Sequence, residues 1–195
     1  MDIRLLLISH ASTPAMRAGR FPADDPLDAR GLAEAGAARA RLSIPDDAVA
    51  FVSPAVCARD TASALGLRAS VHKGLADMDY GRWHGRRLAD LAVEAPQDLA
   101  AWTHDPEAAA HGGESFSQLV KRVGQWLDAL DDALSDISLT TRNVVAITHA
   151  PVIRAAIVHA LGLSPDVFSH IEIAPLSMVE LRRSRRGWTW WPASQ

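Results

Sequence analysis

Two short runs of apolar residues, one near each end of the chain, stop at a histidine. The first is LLLIS at positions 5–9, followed by His10, and the second is VVAIT at positions 144–148, followed by His149. An unbroken apolar run of this length, bounded by turn residues, is typical of a strand buried on both faces of a sheet. Open α/β sheets form their ligand sites beyond the carboxyl ends of such strands, and the two histidines are therefore predicted to share a site.

The remaining pattern predicts alternating strands and helices. The predicted elements are strands at 48–52 and 69–72, helices at 31–42, 86–102 (broken at Pro96), 116–134 and 151–161, and a terminal hairpin from 176–182 and 187–191. Ser53 and Pro54 suit the N-cap and the first position of a further helix that runs to about residue 67. Ser115 and Gln118 have the spacing of a capping box, which marks the start of the longest helix.

Size and composition describe one ordinary globular domain over residues 1–195. The chain is 48% hydrophobic and 22% charged, and no linker, repeat or low-complexity segment divides it. A formal charge of −3 gives no basic field, so nucleic acid is excluded as an expected partner. The single cysteine fits a reducing compartment, and no apolar run has the length of a signal peptide or a membrane span. We therefore predict a cytoplasmic protein without membrane contact.

Several polar side chains between the predicted elements are candidates for chemistry. Prolines prevent a long helix in residues 11–30, and this loop carries Arg17 and Arg20, which either supply cations to a site above His10 or lie on a solvated surface. Cys57 falls in the first turn of the helix that Ser53 opens. A thiol there has either a depressed pKa or, more commonly for cysteine, the role of a small buried apolar group, and we favour the second interpretation.

Five segments resemble, in the same order, the motifs of the histidine phosphatase superfamily, also called the phosphoglycerate mutase-like family. They are LLLISHAST, VSPAVCARDTA, LADMDYGRWHG, HGGES and AITHAPVIRA. Each is weak alone, but five in order span most of the chain. The resemblance implies a three-layer α/β/α sandwich with a mostly parallel central sheet. The small size and the Tyr-Gly-x-Trp element at 80–83 are most similar to the broad-specificity and α-ribazole phosphatase branch.

The resemblance also implies roles for three residues. His10 matches the nucleophile that accepts the phosphoryl group as phosphohistidine, His149 the second histidine that holds phosphate oxygens, and Asp77 the proton donor. This chemistry is sound because covalent transfer to an imidazole divides one difficult displacement into two steps, while a carboxylic acid protonates the leaving alkoxide. The helix that opens at Pro151 directs partial positive charge towards an anion near His149.

This sequence departs from the family pattern at the phosphate clamp, by which we mean two arginines that hold the phosphoryl group. Ser9 and Cys57 stand at those positions, and Ala150 stands where a glycine is expected. One charge-assisted hydrogen bond contributes about 1.5–3 kcal/mol, so losing two without replacement costs roughly two to four decades of phosphate affinity. The loop residues Arg17, Arg20 and Arg82 are the candidates to replace the clamp.

Two functions remain open from the sequence. The first is a phosphomonoesterase that forms phosphohistidine at His10, and the second is a catalytically degenerate relative that binds a ligand or a protein partner. The expected partner is a small phosphorylated molecule or another anion, and no cofactor is expected. His10, His149, Asp77 and Cys57 are ligand types that zinc prefers, but the family uses no metal here, and we predict none. The sequence leaves the substrate and the oligomeric state open.

Overall fold

A six-stranded sheet forms the centre of the protein in a computed structural model that describes residues 2–130, 132, 134 and 142–192. The strands are β1 (Ile3–Ser9), β2 (Val49–Val52), β3 (Ala69–Val71), β4 (Asn143–Thr148), β5 (Met178–Ser184) and β6 (Gly187–Trp191). Their order across the sheet is β3-β2-β4-β1-β5-β6. The first four of these run parallel, whereas β5 and β6 form an antiparallel hairpin at one edge. The predicted strands and hairpin are confirmed.

Seven helices are named in the described part of the chain. They are α1 (Pro14–Arg17), α2 (Ala29–Ala38), α3 (Val56–Ala64), α4 (Leu88–Glu94), α5 (Pro96–His104), α6 (Phe116–Asp128) and α7 (Ala150–Leu161), with 3₁₀ turns at Lys73–Leu75, Gly81–Trp83 and Pro165–His170. The capping box before α6 is confirmed, because the Ser115 hydroxyl accepts from the Gln118 amide while the Gln118 side chain accepts from the Ser115 amide. No helix among the described residues is both long and apolar enough to cross a membrane.

Alternate residues of β1 enter two different hydrophobic cores. Leu5 and Leu7 belong to a cluster that includes the buried residues of α6 and α7, and Leu6 and Ile8 belong to a cluster that includes those of α2 and α3. Successive side chains of a strand point to opposite faces, so both faces of the sheet are covered by helices. This is the predicted three-layer α/β/α sandwich, and it explains why β1 is apolar at every position from Leu5 to Ile8.

The helix after β2 differs from the prediction in both its start and its cap. It begins at Val56 rather than at Pro54, and its N-cap is Ala55, whose side chain makes no capping hydrogen bond. The carboxylate of Asp24 instead accepts from the Val56 amide at 2.8 Å. An acidic side chain from the loop before α2 therefore neutralises the amino end of α3.

Three predicted helix ends also differ. The helix predicted to residue 67 ends at Ala64, and the helix predicted over 31–42 runs over Ala29–Ala38. Asp28 gives α2 an earlier start, because its carboxylate accepts from the Gly31 amide at 2.9 Å. The longest helix was predicted to run to residue 134, whereas α6 ends at Asp128. Residues 131 and 133 of the predicted helix lie outside the described residues.

Candidate active site

His10 and His149 meet because β1 and β4 are neighbours in register. Ser9 pairs with Thr148, and the His10 amide continues the ladder by donating to the Thr148 carbonyl at 2.9 Å. The residue after each strand is a histidine, and the two rings lie with centroids 4.9 Å apart at an angle of 65°. Both side chains are buried, with residue exposures of 8% and 2%. The predicted shared position at the carboxyl ends of two strands is confirmed.

A hydrogen bond to the neighbouring main chain orients the His10 ring. Its Nδ1 lies 2.8 Å from the Ala11 carbonyl oxygen, and since a carbonyl only accepts, Nδ1 carries the proton. Burial, aided by the neighbouring His149, lowers the pKa of His10 to about 4, so the ring is neutral near pH 7. Nε2 is consequently an unprotonated nitrogen, and it makes no hydrogen bond to any residue that the structure describes.

His149 is fixed by Ser53, a residue whose role the sequence analysis assigned wrongly. The Ser53 hydroxyl lies 2.8 Å from His149 Nε2 and is fully buried, so it orients the histidine instead of capping a helix. Burial lowers the pKa of His149 to about 3, which keeps this ring neutral as well. Its Nδ1 is buried, makes no hydrogen bond to any residue in the described ranges, and lies 3.3 Å from Asp77 Oδ2. Ser53 directly follows β2, the other neighbour of β4, and this position could have indicated its role.

Asp77 reaches the histidines from a loop that Arg122 holds. The Arg122 guanidinium donates to the carbonyls of Gly74, Ala76 and Asp77, each at 3.1 Å. Burial raises the pKa of Asp77 to about 6, although its side chain keeps 19% of its surface exposed. A carboxyl group with this pKa is partly protonated near neutral pH, as a general acid requires. The structure places Asp77 beside the two histidines, as predicted.

The HGGES segment completes the support of the Asp77 loop. The Glu114 carboxylate accepts two hydrogen bonds from Arg122, both at 2.8 Å. Gly113 lies so close to this loop that a Cβ atom on it would be 2.1 Å from the Asp79 carbonyl oxygen. Sequence reasoning missed Arg122, because a lone basic residue on an amphipathic helix usually faces solvent.

A cavity of about 370 Å³ opens above the two histidines. Seven of the residues predicted for the site line this cavity, namely Ser9, His10, Arg20, Cys57, Asp77, His149 and Ala150. Cys57 is 6% exposed, and burial raises the pKa of its thiol to about 12. The interpretation of Cys57 as a small buried group is therefore confirmed, and the thiol is neutral near pH 7.

Of the three candidate replacements for the clamp, Arg20 alone lines this cavity. Arg17 forms an ion pair with Asp28 and donates to the Ser12 carbonyl. Arg82 pairs with Asp98 at 3.1 Å, and its side chain is 63% exposed. The loops therefore direct two of the three cations away from the site, and pairings of this kind are not visible in sequence spacing.

The charge of the cavity wall is acidic in the described part of the chain. Asp24, Asp25, Asp77 and Asp79 line it, whereas Arg20 is the single arginine that does so and is paired with Asp25 at 3.2 Å. His10 and His149 are neutral, and a third lining histidine, His84, pairs with Asp79 at 3.1 Å. Even with His84 protonated, the four aspartates outnumber the two cations. An anion is thus less favoured here than in a site lined by two further arginines.

The α/β/α sandwich, with a histidine at the carboxyl end of each of two adjacent parallel strands, defines a protein of the phosphoglycerate mutase-like class. The profile of the Histidine phosphatase superfamily (branch 1) matches residues 5–191. The chain belongs to this family.

The relatives of the chain include several phosphatases. The chain is 29% identical over 186 residues to a bifunctional protein of Mycobacterium tuberculosis, covering 91% of this chain but 50% of that protein, so it spans about half the length of this relative. It is 26% identical to the adenosylcobalamin/alpha-ribazole phosphatase of Escherichia coli, covering 88% of this chain and 85% of the relative. The solved structure of a mycobacterial glucosyl-3-phosphoglycerate phosphatase is similar, with a TM-score of 0.85, 25% identity and full coverage of both chains.

Proposed function

We propose that the protein is a phosphomonoesterase that transfers the phosphoryl group of a small phosphate ester to Nε2 of His10. The observation that carries this proposal is the hydrogen bond from His10 Nδ1 to the Ala11 carbonyl. It fixes the tautomer, so that the lone pair of Nε2 is available to attack phosphorus. The pKa of about 4 keeps that lone pair free of a proton at neutral pH.

The reaction proceeds in two displacements. In the first, His10 Nε2 bonds to phosphorus, the ester P–O bond breaks, and the leaving alkoxide takes the proton of the Asp77 carboxyl group. In the second, the Asp77 carboxylate takes a proton from water while the water oxygen bonds to phosphorus. The P–N bond breaks, inorganic phosphate leaves, and the lone pair returns to His10 Nε2. His149 and the amino end of α7 lie beside the phosphoryl group and stabilise its oxygens. Similarity to relatives named as phosphatases supports this class of reaction.

Replacing Asp77 with asparagine should slow the reaction in a way that depends on the leaving group. General acid catalysis contributes about 10²–10⁴-fold, and an alkyl phosphate needs it because its alkoxide is a poor leaving group. The rate with an alkyl phosphate should therefore fall by about that factor, and the rate with p-nitrophenyl phosphate should fall far less. Comparing kcat for the two substrates measures the effect, and Asp98→Asn is the control, because this aspartate pairs with Arg82 outside the cavity. Equal losses with both substrates would remove Asp77 as the acid.

Arg20 is the proposed replacement for the missing clamp. We expect Arg20→Ala to weaken the binding of inorganic phosphate by about 10- to 100-fold, since one charge-assisted hydrogen bond is lost and the negative charge of Asp25 loses its cation. Arg17→Ala and Arg82→Ala serve as matched controls, because both side chains are paired outside the cavity. Calorimetric titration with phosphate compares the three variants. A larger loss in either control than in Arg20→Ala would contradict this assignment.

The acidic cavity wall favours a second candidate function, namely a degenerate family member that binds a ligand without turning it over. A wall that holds Asp24, Asp25 and Asp79 against Arg20 opposes a phosphate dianion. Turnover in a broad panel of phosphomonoesters separates the two functions. Hydrolysis of none of them by the folded wild-type protein, with no phosphohistidine formed from an acyl phosphate, would favour the binding protein.

A further inference from the structure

Three side chains at the floor of the cavity place metal-binding atoms close together. His10, Cys57 and His149 each offer one ligand atom, these atoms lie within 4.8 Å of one another, and all three residues are buried. In a tetrahedral zinc site, with bonds of about 2.0–2.3 Å, neighbouring ligand atoms are roughly 3.3–3.6 Å apart. Binding of one ion by all three atoms therefore requires side-chain rotations that shorten the longer of these separations. The residues come from the ends of β1 and β4 and from α3, so no spacing along the chain reveals the group.

Both imidazoles are already held as metal-binding histidines are. A histidine that ligates a metal generally uses its second ring nitrogen for a hydrogen bond to a carbonyl, a carboxylate or another polar group. Here Nδ1 of His10 is bonded to the Ala11 carbonyl, and Nε2 of His149 to the Ser53 hydroxyl. These bonds leave one nitrogen of each ring for an ion.

An independent observation at the same place is the unsatisfied nitrogen of His149. Its Nδ1 is buried and accepts or donates no hydrogen bond among the described residues, and His149 is 2% exposed and lines the cavity. Buried ring nitrogens are normally hydrogen-bonded, so this atom calls for an explanation, and an ion shared with the Asp77 carboxylate is one. Asp77 Oδ2 lies 3.3 Å from this atom, which is close to the edge of a zinc tetrahedron.

The charges around the cavity suit a cation better than an anion. Four aspartates line it, while the one lining arginine in the described part of the chain is paired with Asp25, and His84 is paired with Asp79. Cys57 stands where the resemblance places an arginine, whose guanidinium would repel a metal ion. The same substitution therefore removes a positive charge and supplies a sulfur ligand.

We propose that His10, Cys57 and His149 form a binding site for a thiophilic divalent transition-metal ion, with zinc as the first choice. Two imidazoles and one thiolate favour zinc and cobalt over magnesium and calcium. The fourth position is left to water or to the Asp77 carboxylate. On binding, the Cys57 thiol releases its proton to solvent and the thiolate bonds to the ion, with no change of oxidation state.

Metal binding and phosphohistidine formation exclude each other at this site, because both use the lone pair of His10 Nε2. A bound zinc ion therefore inhibits the proposed phosphatase reaction. The metal site does not depend on that reaction, since the ligand geometry is the same whether or not the protein turns over a phosphate ester.

Titration of the chelator-treated protein with cobalt(II) tests the proposal. We expect about one equivalent to bind, with a thiolate-to-cobalt charge-transfer band in the near ultraviolet and strong visible bands of tetrahedral cobalt, both removed by zinc but not by magnesium. Cys57→Ser should abolish the charge-transfer band, and His149→Ala should weaken binding at least about tenfold. His104→Ala, in an exposed histidine, is the matched control and should bind as the wild type does.

Each outcome of this experiment decides the proposal. A charge-transfer band that persists in Cys57→Ser, equal binding by all the variants, or no binding of cobalt or zinc by the wild type at micromolar concentration would overturn it. Circular dichroism melts confirm that each variant is folded, and zinc should raise the Tm of the wild type but not that of Cys57→Ser. These measurements need no substrate, so failure of the proposed phosphatase activity leaves their result interpretable.

Discussion

Changing His10 to alanine should abolish the phosphorylated form of the protein. With labelled acetyl phosphate, the wild type should acquire an acid-labile label. His10→Ala should acquire none, because Nε2 of His10 is the proposed nucleophile, whereas the free nitrogen of His149 lies 3.3 Å from the Asp77 carboxylate. Turnover of a phosphomonoester should fall by about three orders of magnitude or more, as is typical when a covalent nucleophile is removed.

His10→Asn is the sharper variant, because its amide can still donate to the Ala11 carbonyl while the nucleophilic Nε2 is gone. It should behave as the alanine variant does and retain the stability of the wild type. His104→Ala is the control for loss of an exposed histidine and should leave the label unchanged. An acid-labile label that persists in either His10 variant would show that another group is the nucleophile.

Restoring the clamp should produce the largest gain that this site offers. Ser9 and Cys57 both line the cavity, so Ser9→Arg with Cys57→Arg places two guanidinium groups beside His10 and His149. Each adds a charge-assisted hydrogen bond of about 1.5–3 kcal/mol, and phosphate affinity should rise by roughly two to four decades. Calorimetry with inorganic phosphate measures the change.

The single variants are the controls for this experiment, and each should give about half of the gain in free energy if the two arginines act independently. Cys57→Arg should also lose the cobalt charge-transfer band, which links the clamp to the proposed metal site. No change in phosphate affinity in the folded double variant would show that the acidic wall, rather than the absent arginines, limits anion binding.

The strands and the histidine pair could be predicted because local pattern and sheet register are enough to place them. A run that is apolar at every position must lie between two layers, and in a parallel sheet the residues after neighbouring strands meet at one edge. The capping box at Ser115 was equally visible, because its two hydrogen bonds join residues three apart. Local pattern was not always sufficient, since the cap that Asp28 forms with the Gly31 amide was missed although these residues are also three apart.

The roles of Ser53, Arg17 and Arg82 were predicted wrongly because they depend on contacts with residues far away in sequence. Ser53 has the right type for an N-cap, but its hydroxyl is bonded to His149, and Asp24 serves the amino end of α3 instead. Arg17 and Arg82 have the right charge for a clamp, but aspartates elsewhere hold them outside the cavity. A side chain with several partners of suitable chemistry is assigned by three-dimensional distance, which local pattern does not contain.

Arg122 fixes the position of the Asp77 loop through contacts that do not depend on which side chains the loop carries. The guanidinium donates hydrogen bonds to main-chain carbonyls, including those of Ala76 and Asp77. Every amino acid has a main-chain carbonyl. Substitutions at these two positions therefore leave the attachment intact, whereas a change at Arg122 removes it altogether. Over evolutionary time, this arrangement lets a lineage alter the chemistry that the loop presents to the cavity while its distance from the histidines stays constant.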